Sequence, residues 1–137
     1  MSTATGVLGP LDFDQPAVLA EVRAAFERYE AALISNDVEL LNNLFLQSDN
    51  AVRFGLAEQH YGIEAIAAYR RAAARIDPGR RLLRTVISSF GTNVACVACE
   101  FVDPSSSQLG RQSQTWVRTA AGWRIAAAHV SLSNAQR

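Results

Sequence analysis

Arg53 is the residue of this sequence best suited to bind a small anion. It stands between Val52 and Phe54, and these apolar neighbours predict that its side chain is half-buried. A buried guanidinium needs an anionic partner, and its planar fork can hold both oxygens of a carboxylate. Two interpretations follow: Arg53 faces a carboxylate ligand, or it forms a salt bridge with Glu58 or Glu30.

Tyr29 could supply proton chemistry beside such an anion. It belongs to an apolar stripe with helical spacing, formed with Leu19, Val22, Phe26 and Leu33. A tyrosine on such a stripe usually packs in the core, with its hydroxyl bonded to an acceptor. In the functional interpretation, the hydroxyl protonates a departing nitrogen or orients water while Arg53 holds charge. A nearby Arg53 would also favour the anionic form of Tyr29 and make it a better base.

Polar residues on the last predicted strand are further candidates for substrate binding. Alternation along this strand puts five residues on one face, namely Trp123, Ile125, Ala127, His129 and Ser131. The apolar members indicate that this face is inward, so His129 and Ser131 would line a pocket. The alternative for His129 is a core histidine that is bonded to the backbone or to Glu100.

The preceding strand carries two sets of residues on opposite faces, Gln112, Gln114 and Trp116 on one and Arg111, Ser113 and Thr115 on the other. We expect one set to line the pocket and bind substrate, and the other set to form a dimer interface. Glu100 also lies in an apolar strand. It is either a base with a raised pKa or an ion-pair partner of Arg84 or Arg111.

Several classes of chemistry are excluded. The chain has no lysine, so all thirteen basic residues are arginine, which excludes Schiff-base catalysis and a P-loop. His60 and His129 are far apart in the sequence, and we expect no metal site and no cofactor. Cys96 and Cys99 form a C-x-x-C motif within a predicted strand, where three steps cover ~10 Å and reverse the side-chain face. They are predicted to be buried, free cysteines in a reducing compartment.

A run of arginines lies near the end of the third predicted helix, comprising Arg70, Arg71, Arg75, Arg80 and Arg81. In the simpler interpretation, this run is a solvated face that complements the negative end of the helix dipole. In the alternative, it is an entrance that attracts an anionic substrate.

The composition is typical of one globular domain: 137 residues, of which 49% are hydrophobic and 19% charged. Thirteen acidic residues balance the thirteen basic ones, so neither nucleic acid nor a membrane surface is an expected partner. The sequence shows no secretory signal and no apolar run of about 20 residues, and a cytoplasmic location is expected. Residues 1–13 predict a flexible tail, and residues 14–137 a single domain.

The apolar pattern predicts helices over about 16–34, from Asn36-Asp37 to Phe45, and from Gly62 to Asp77. Asp14 is a possible cap of the first helix, and Pro16 suits its first turn. Short strands at 51–54 and 58–61 predict a hairpin. Four longer strands, at 82–90, 93–102, 108–119 and 123–132, predict an antiparallel meander. The fold class is therefore α+β, with three N-terminal helices on a curved, mostly antiparallel sheet and a pocket between the first helix and the sheet.

This order of elements, with Gly122-Trp-Arg-Ile125 in the last strand followed by His129 and Ser131, resembles the nuclear transport factor 2-like superfamily. That superfamily includes the ketosteroid isomerase and SnoaL-like groups. The resemblance implies a cone-shaped fold whose mouth holds a small ligand. It also implies a homodimer that pairs through the sheets.

Four segments are similar to the narrower AtzH-like family: Phe26–Leu33, Val52–Glu58, Gly110–Trp116 and Ala127–Ser131. That family includes oxalurate-catabolism proteins and an amidohydrolase of the cyanuric acid pathway. The resemblance implies decarboxylating hydrolysis of 1,3-dicarboxyurea to allophanate without a metal, with Tyr29 and Arg53 as the catalytic pair. The implied substrate class is a small ureido or carboxylate anion.

The sequence is therefore compatible with three functions. The first is a cofactor-free hydrolase of a carboxylated urea in nitrogen catabolism. The second is a non-catalytic ligand-binding or accessory subunit that works beside an amidase in oxalurate or ureide catabolism. The third is a ketosteroid isomerase-like proton-transfer enzyme that uses Glu100 or His129.

Overall fold

A computed structural model of the chain describes residues 11–136. Its elements are α1 (Pro16–Ser35), α2 (Val38–Asn43), β1 (Val52–Phe54), β2 (Gln59–Tyr61), α3 (Ile63–Ala72), β3 (Arg81–Phe90), β4 (Val94–Val102), β5 (Gln108–Thr119) and β6 (Gly122–Gln136). They match the predicted elements, except that α3 is shorter than expected and β6 continues past Leu132.

The strands form one curved six-stranded sheet in the order β2-β1-β6-β5-β4-β3. Strands β3 to β6 are an antiparallel meander. β1 pairs with β2 in a short antiparallel hairpin and with β6 in parallel. The predicted α+β architecture, with three helices on a mostly antiparallel sheet, is confirmed.

Local sequence signals explain how the first two helices begin and end. Pro16 is the first residue of α1 and follows the N-cap Gln15, as suits a residue without a backbone N–H. Asn36 ends α1 in the left-handed conformation, with φ 57°. Asp37 then caps α2 by accepting a hydrogen bond from the Leu40 N–H at 3.2 Å. Within residues 11–136, none of the helices is long and apolar enough to cross a membrane.

The segment before α1 is attached to the far end of the sheet. Phe13 forms a β-bridge with Phe90, and the two rings pack edge to face with centroids 5.9 Å apart. Asp14 accepts a hydrogen bond from the Ser89 N–H at 2.8 Å. Asp14 therefore holds this segment to β3, and it is not the helix cap that the sequence suggested. Residues 1–10 of the predicted tail lie outside the described residues.

Helix α1 covers one face of the sheet, which we call the inner face. The buried side chains of this helix are Val18, Val22, Phe26, Tyr29, Ala32 and Leu33. They form one core with Val97 of β4, Trp116 of β5 and Ile125 of β6, none of which is more than 1% exposed. The opposite face, which we call the outer face, carries residues such as Ala98, Glu100, Arg111 and Ser113 and is largely exposed.

Strand β6 contains an extra residue that divides it into two halves. Thr115 pairs with Ala127 and Trp116 pairs with Ile125, so Ala126 has no partner on β5. A bulge of this kind shifts the alternation of side chains by one residue.

The bulge reverses the predicted face of the second half of β6. Trp123 and Ile125 are buried on the inner face, as expected. Beyond Ala126, however, His129 pairs with the exposed Ser113, and Ser131 pairs with the exposed Arg111. The expectation that His129 and Ser131 share the inward face of Trp123 was therefore wrong, because simple alternation does not continue through a bulge.

Candidate active site

A cavity of about 260 Å³ lies between the inner face, α1 and α3, and we call it the inner cavity. Its volume is near the lower end of the ~300–1,000 Å³ that is usual for small-molecule sites. The charged and hydrogen-bonding part of its wall includes Tyr29, Arg53, Tyr69, Arg70, Arg80 and Gln112. The two residues of the predicted catalytic pair, Tyr29 and Arg53, thus line the same cavity.

Arg53 is held in place by three neighbours. Its Nη1 lies 3.3 Å from Oε1 of Glu58 and 3.4 Å from Nδ1 of His60. Its guanidinium carbon lies 4.4 Å from the ring centroid of Tyr69, which is a cation–π contact. The side chain is 11% exposed. The salt bridge with Glu58 is therefore formed, and it leaves Arg53 on the wall of the inner cavity.

The charges of the two ionisable neighbours suit this arrangement. Burial alone would raise the pKa of Glu58, but hydrogen bonds from Arg53 and the Ala57 N–H outweigh burial and hold that pKa below its usual 4.5. Burial, followed by the charge of Arg53, lowers the pKa of His60 below 6.5. At pH 7 Glu58 is anionic and His60 is neutral, so Nδ1 of His60 can accept the hydrogen bond from Arg53.

The link between β1 and β2 requires a glycine at Gly55. Its N–H donates to the carbonyl of Glu58 at 2.9 Å. A Cβ at this position would overlap the Glu58 carboxylate and would approach Nη1 of Arg53 to 2.8 Å. The absence of a side chain at Gly55 therefore leaves room for the Arg53–Glu58 pair.

Arg80 forms a second ion pair at the same cavity. Its Nε and Nη2 donate to the two carboxylate oxygens of Glu30 at 3.1 and 3.2 Å, and Glu30 also accepts from Nε2 of Gln112 at 2.9 Å. The guanidinium carbon lies 3.9 Å from the ring centroid of Phe101. That ring occupies the space that a Cβ on Gly110 would need. The charge of Arg80 is thus compensated within the protein.

Tyr29 is buried in the core, at 4% exposed, and its ring packs edge to face on Phe45. Within the described part of the chain, no group forms a hydrogen bond with its hydroxyl, although its side chain lines the inner cavity. Burial raises the pKa of Tyr29 above 10, and the charges of Arg70 and Arg53 only partly oppose this. The expectation that Arg53 would make Tyr29 a base was therefore wrong, because burial outweighs the arginine charges. Tyr29 is a neutral phenol at pH 7.

Arg70 and Arg80 differ from the rest of the arginine run, because both line the inner cavity. Arg70 is 9% exposed. The other members are exposed, as the simpler interpretation predicts, namely Arg71, Arg75 and Arg81. A solvated role was therefore wrong for Arg70 and Arg80. The sequence does contain a signal for Arg70, because it follows the apolar stripe of α3 at helical spacing, after Ile63, Ile66 and Ala67.

Two predicted substrate-binding residues lie in the core. Trp116 is fully buried, and its Nε1 donates to Oε1 of Gln114 at 2.9 Å. Gln114 is 3% exposed. Neither residue lines the inner cavity, so neither presents surface to a ligand there in this conformation. Gln112, on the same face of β5, does line the inner cavity.

A second cavity of about 450 Å³ lies on the outer face, and Ser131 lines it. His129 contributes to the walls of both cavities and packs edge to face on Phe54. Glu100 lies opposite Arg84 and Arg111 in the sheet register. The ion pairs found among the described residues do not include Glu100, so the expected pairing is not formed.

The cysteines are both free, as predicted. Cys99 is buried on the inner face, and burial raises the pKa of its thiol to about 11. Cys96 is exposed, because alternation along β4 turns it to the outer face. The prediction that both would be buried was wrong for Cys96.

The inner cavity can therefore hold a small anion beside a neutral proton donor. Guanidinium groups supply positive charge, and the Tyr29 hydroxyl is available to a ligand. Among the residues that the structure describes, no group of three or more His, Cys, Asp or Glu side chains is placed to hold a metal ion.

The chain has the fold of nuclear transport factor 2-like proteins. A nuclear transport factor 2-like protein of unknown function from Pseudomonas putida shares this fold, with a TM-score of 0.71 at 17% identity over 85% of this chain and 87% of that one. The family model called AtzH-like matches residues 11–136, and the chain belongs to the AtzH-like family.

Two solved structures are much closer in sequence. A cystatin-like fold protein from Burkholderia xenovorans is 47% identical, with a TM-score of 0.87 over 89% of this chain and 96% of that one. A protein of unknown function from Pectobacterium atrosepticum is 48% identical, with a TM-score of 0.88 over 92% of this chain and all of that one, 100%. No curated protein matches the chain.

Proposed function

We propose that the protein is a cofactor-free amidohydrolase of a small carboxylated urea, such as 1,3-dicarboxyurea, which it converts to allophanate in nitrogen catabolism. The observation that carries this proposal is the Tyr29 hydroxyl, which lines the inner cavity with no protein partner among the described residues. Arg53 on the same wall suits a carboxylate of the substrate. Membership of the AtzH-like family supports the same chemistry.

The proposed reaction needs one proton at a defined nitrogen. The bond between a urea nitrogen and a terminal carboxyl carbon breaks, the nitrogen gains a proton, and the carboxyl group leaves as carbon dioxide or, with water, as bicarbonate. A phenol with a raised pKa stays protonated at pH 7 and can donate a hydrogen bond or the proton to that nitrogen. Arg53 balances the negative charge that the substrate brings into the cavity.

The ketosteroid isomerase-like alternative fits the geometry less well. It needs a carboxylate base or a histidine within reach of a substrate carbon. Of the two acids that line the inner cavity, Glu58 is committed to an ion pair with Arg53, and Asp103 accepts hydrogen bonds from the N–H and hydroxyl of Ser105. Glu100 lies on the outer face, across the sheet from Tyr29.

Turnover of 1,3-dicarboxyurea, followed by release of carbon dioxide and appearance of allophanate, tests the proposal. We expect the wild type to turn it over equally well with and without a chelator. Arg53→Ala should reduce turnover about 10²- to 10³-fold, the usual effect of removing a charge-stabilising group. Arg28→Ala, an exposed arginine of α1, serves as the matched control and should retain activity. Binding without turnover by the wild type would reject the hydrolase and favour the accessory subunit.

We also propose that two copies of the chain pair through their outer faces. Glu100 lies between Arg84 and Arg111 without an ion pair, and Val86 on the same face is 47% exposed. A second copy could place its arginines against Glu100 and cover Val86. Light scattering should give the mass of a dimer for the wild type and for Glu64→Arg, a control on α3. Glu100→Arg should be monomeric, and a monomeric wild type would contradict the proposal.

A further inference from the structure

Arg70 is a buried cation whose charge the protein leaves uncompensated. Its side chain is 9% exposed. The ion pairs and hydrogen bonds of the described residues do not include its guanidinium. That group lies over the ring of Tyr69, whose centroid is 5.5 Å from the guanidinium carbon. This distance is near the ~6 Å limit for a useful cation–π contact, so the contact offsets little of the cost of burial.

The other two arginines of the inner cavity contrast with Arg70. Arg53 has Glu58 as its partner, and Arg80 has both oxygens of Glu30. A buried charge is costly without a counter-ion, and the protein supplies counter-ions for these two. Because Arg70 lines the same cavity, an anion that enters the cavity can reach the one guanidinium of the three that lacks a carboxylate partner.

We propose that Arg70 is a substrate-binding residue of the inner cavity and that it takes a carboxylate group of the ligand as its missing counter-ion. This inference deepens the proposed function and rests on it, because both concern the same cavity. It implies that the ligand carries two anionic groups. Arg53 is proposed to bind the first, and Arg70 would bind the second. The ligand class is thus a compact dicarboxylate, short enough for a cavity of about 260 Å³.

The position of Arg70 relative to Tyr29 supports this assignment. Among the arginines that lower the pKa of Tyr29, Arg70 has the largest effect, ahead of Arg53 and Arg80. Because both side chains line the inner cavity, a carboxylate bound to Arg70 would share that cavity with the hydroxyl of Tyr29. It would also offset the influence of Arg70 on that hydroxyl and favour its neutral, proton-donating form.

Binding of malonate, measured by calorimetry, tests the assignment without requiring turnover. Malonate carries two carboxylates on one carbon, and malonamide is its uncharged counterpart. We expect the wild type to bind malonate and not malonamide. Arg70→Met should weaken malonate binding about 10- to 100-fold, which is the usual cost of losing a charge-assisted hydrogen bond. Arg70→Lys should recover part of the loss. Arg71→Met, its exposed neighbour, should bind like the wild type.

Thermal unfolding of the ligand-free variants separates binding from a structural role. Removal of an uncompensated buried charge should leave Arg70→Met at least as stable as the wild type. A clear loss of stability in Arg70→Met, wild-type malonate affinity in that variant, or no malonate binding by the wild type would each overturn the inference. If malonate binding depends on Arg70 and dicarboxyurea is not turned over, the hydrolase proposal fails and this inference stands.

Discussion

Tyr29→Phe should abolish most of the turnover while leaving the fold intact. We expect kcat to fall about 10²- to 10⁴-fold, the range for loss of a positioned proton donor. KM should change little, because the arginines that hold the carboxylates remain. The phenylalanine ring can keep the packing on Phe45. The hydroxyl that is lost has no hydrogen-bond partner among the described residues, so its removal leaves no buried group unsatisfied.

The control for this variant is Tyr61→Phe, at a tyrosine of β2 that is 67% exposed. It should retain both stability and turnover. The measurements are steady-state kinetics with dicarboxyurea and urea denaturation of each variant. Full turnover by Tyr29→Phe would remove Tyr29 from the chemistry and leave it as a core residue.

Glu30→Ala should have the largest effect on stability among the ion-pair residues. It removes the carboxylate that both Arg80 and Gln112 bind. The side chains of Arg80 and Glu30 are 5% and 14% exposed, so an uncompensated charge would remain inside the protein. Breaking a buried pair in this way costs about 3–5 kcal/mol, and we expect the free energy of unfolding to fall by about 3 kcal/mol.

Urea denaturation measures this effect, with Glu27→Ala as the matched control, since Glu27 is exposed on the same helix. The double replacement Glu30→Leu with Arg80→Met removes both charges and should restore much of the lost stability. A loss below about 1 kcal/mol in Glu30→Ala, which is the range of exposed pairs, would show that water solvates Arg80 once Glu30 is gone.

The fold was predictable because its signals are local and repeated. The helical stripe of α1, the Asn36-Asp37 break and the turns between strands each depend on neighbouring residues. The attachment of Phe13 to Phe90 was not predictable in this way. It joins residues that are far apart in the sequence, and the pattern around neither residue predicts a contact with the other.

The candidate site was predictable only in part. Tyr29 and Arg53 could be named from a resemblance and then found on one cavity wall. Arg70 could have been found from its spacing after Ile66 and Ala67, but a run of arginines suggested a solvated face instead. The pKa of Tyr29 was misjudged, because a sequence shows which charges are present and not how deeply a side chain is buried.

The placement of His129 depended on one residue that no sequence rule identified. Ala126 is the first of three consecutive alanines, Ala126-Ala127-Ala128. The sequence does not indicate which of the three lacks a partner on β5. Side chains can be assigned to the two faces of a sheet by simple alternation only where the strand is uninterrupted.

The unpaired Ala126 also makes β6 tolerant of a deletion at this one position. Removal of Ala126 would restore strict alternation and keep the pairing on both sides of it, so Ile125 and Ala128 would still face inward while His129 and Ser131 would stay on the outer face. The walls of both cavities would therefore keep their residues. A lineage could thus lose this single codon without exchanging the reactive groups of either cavity.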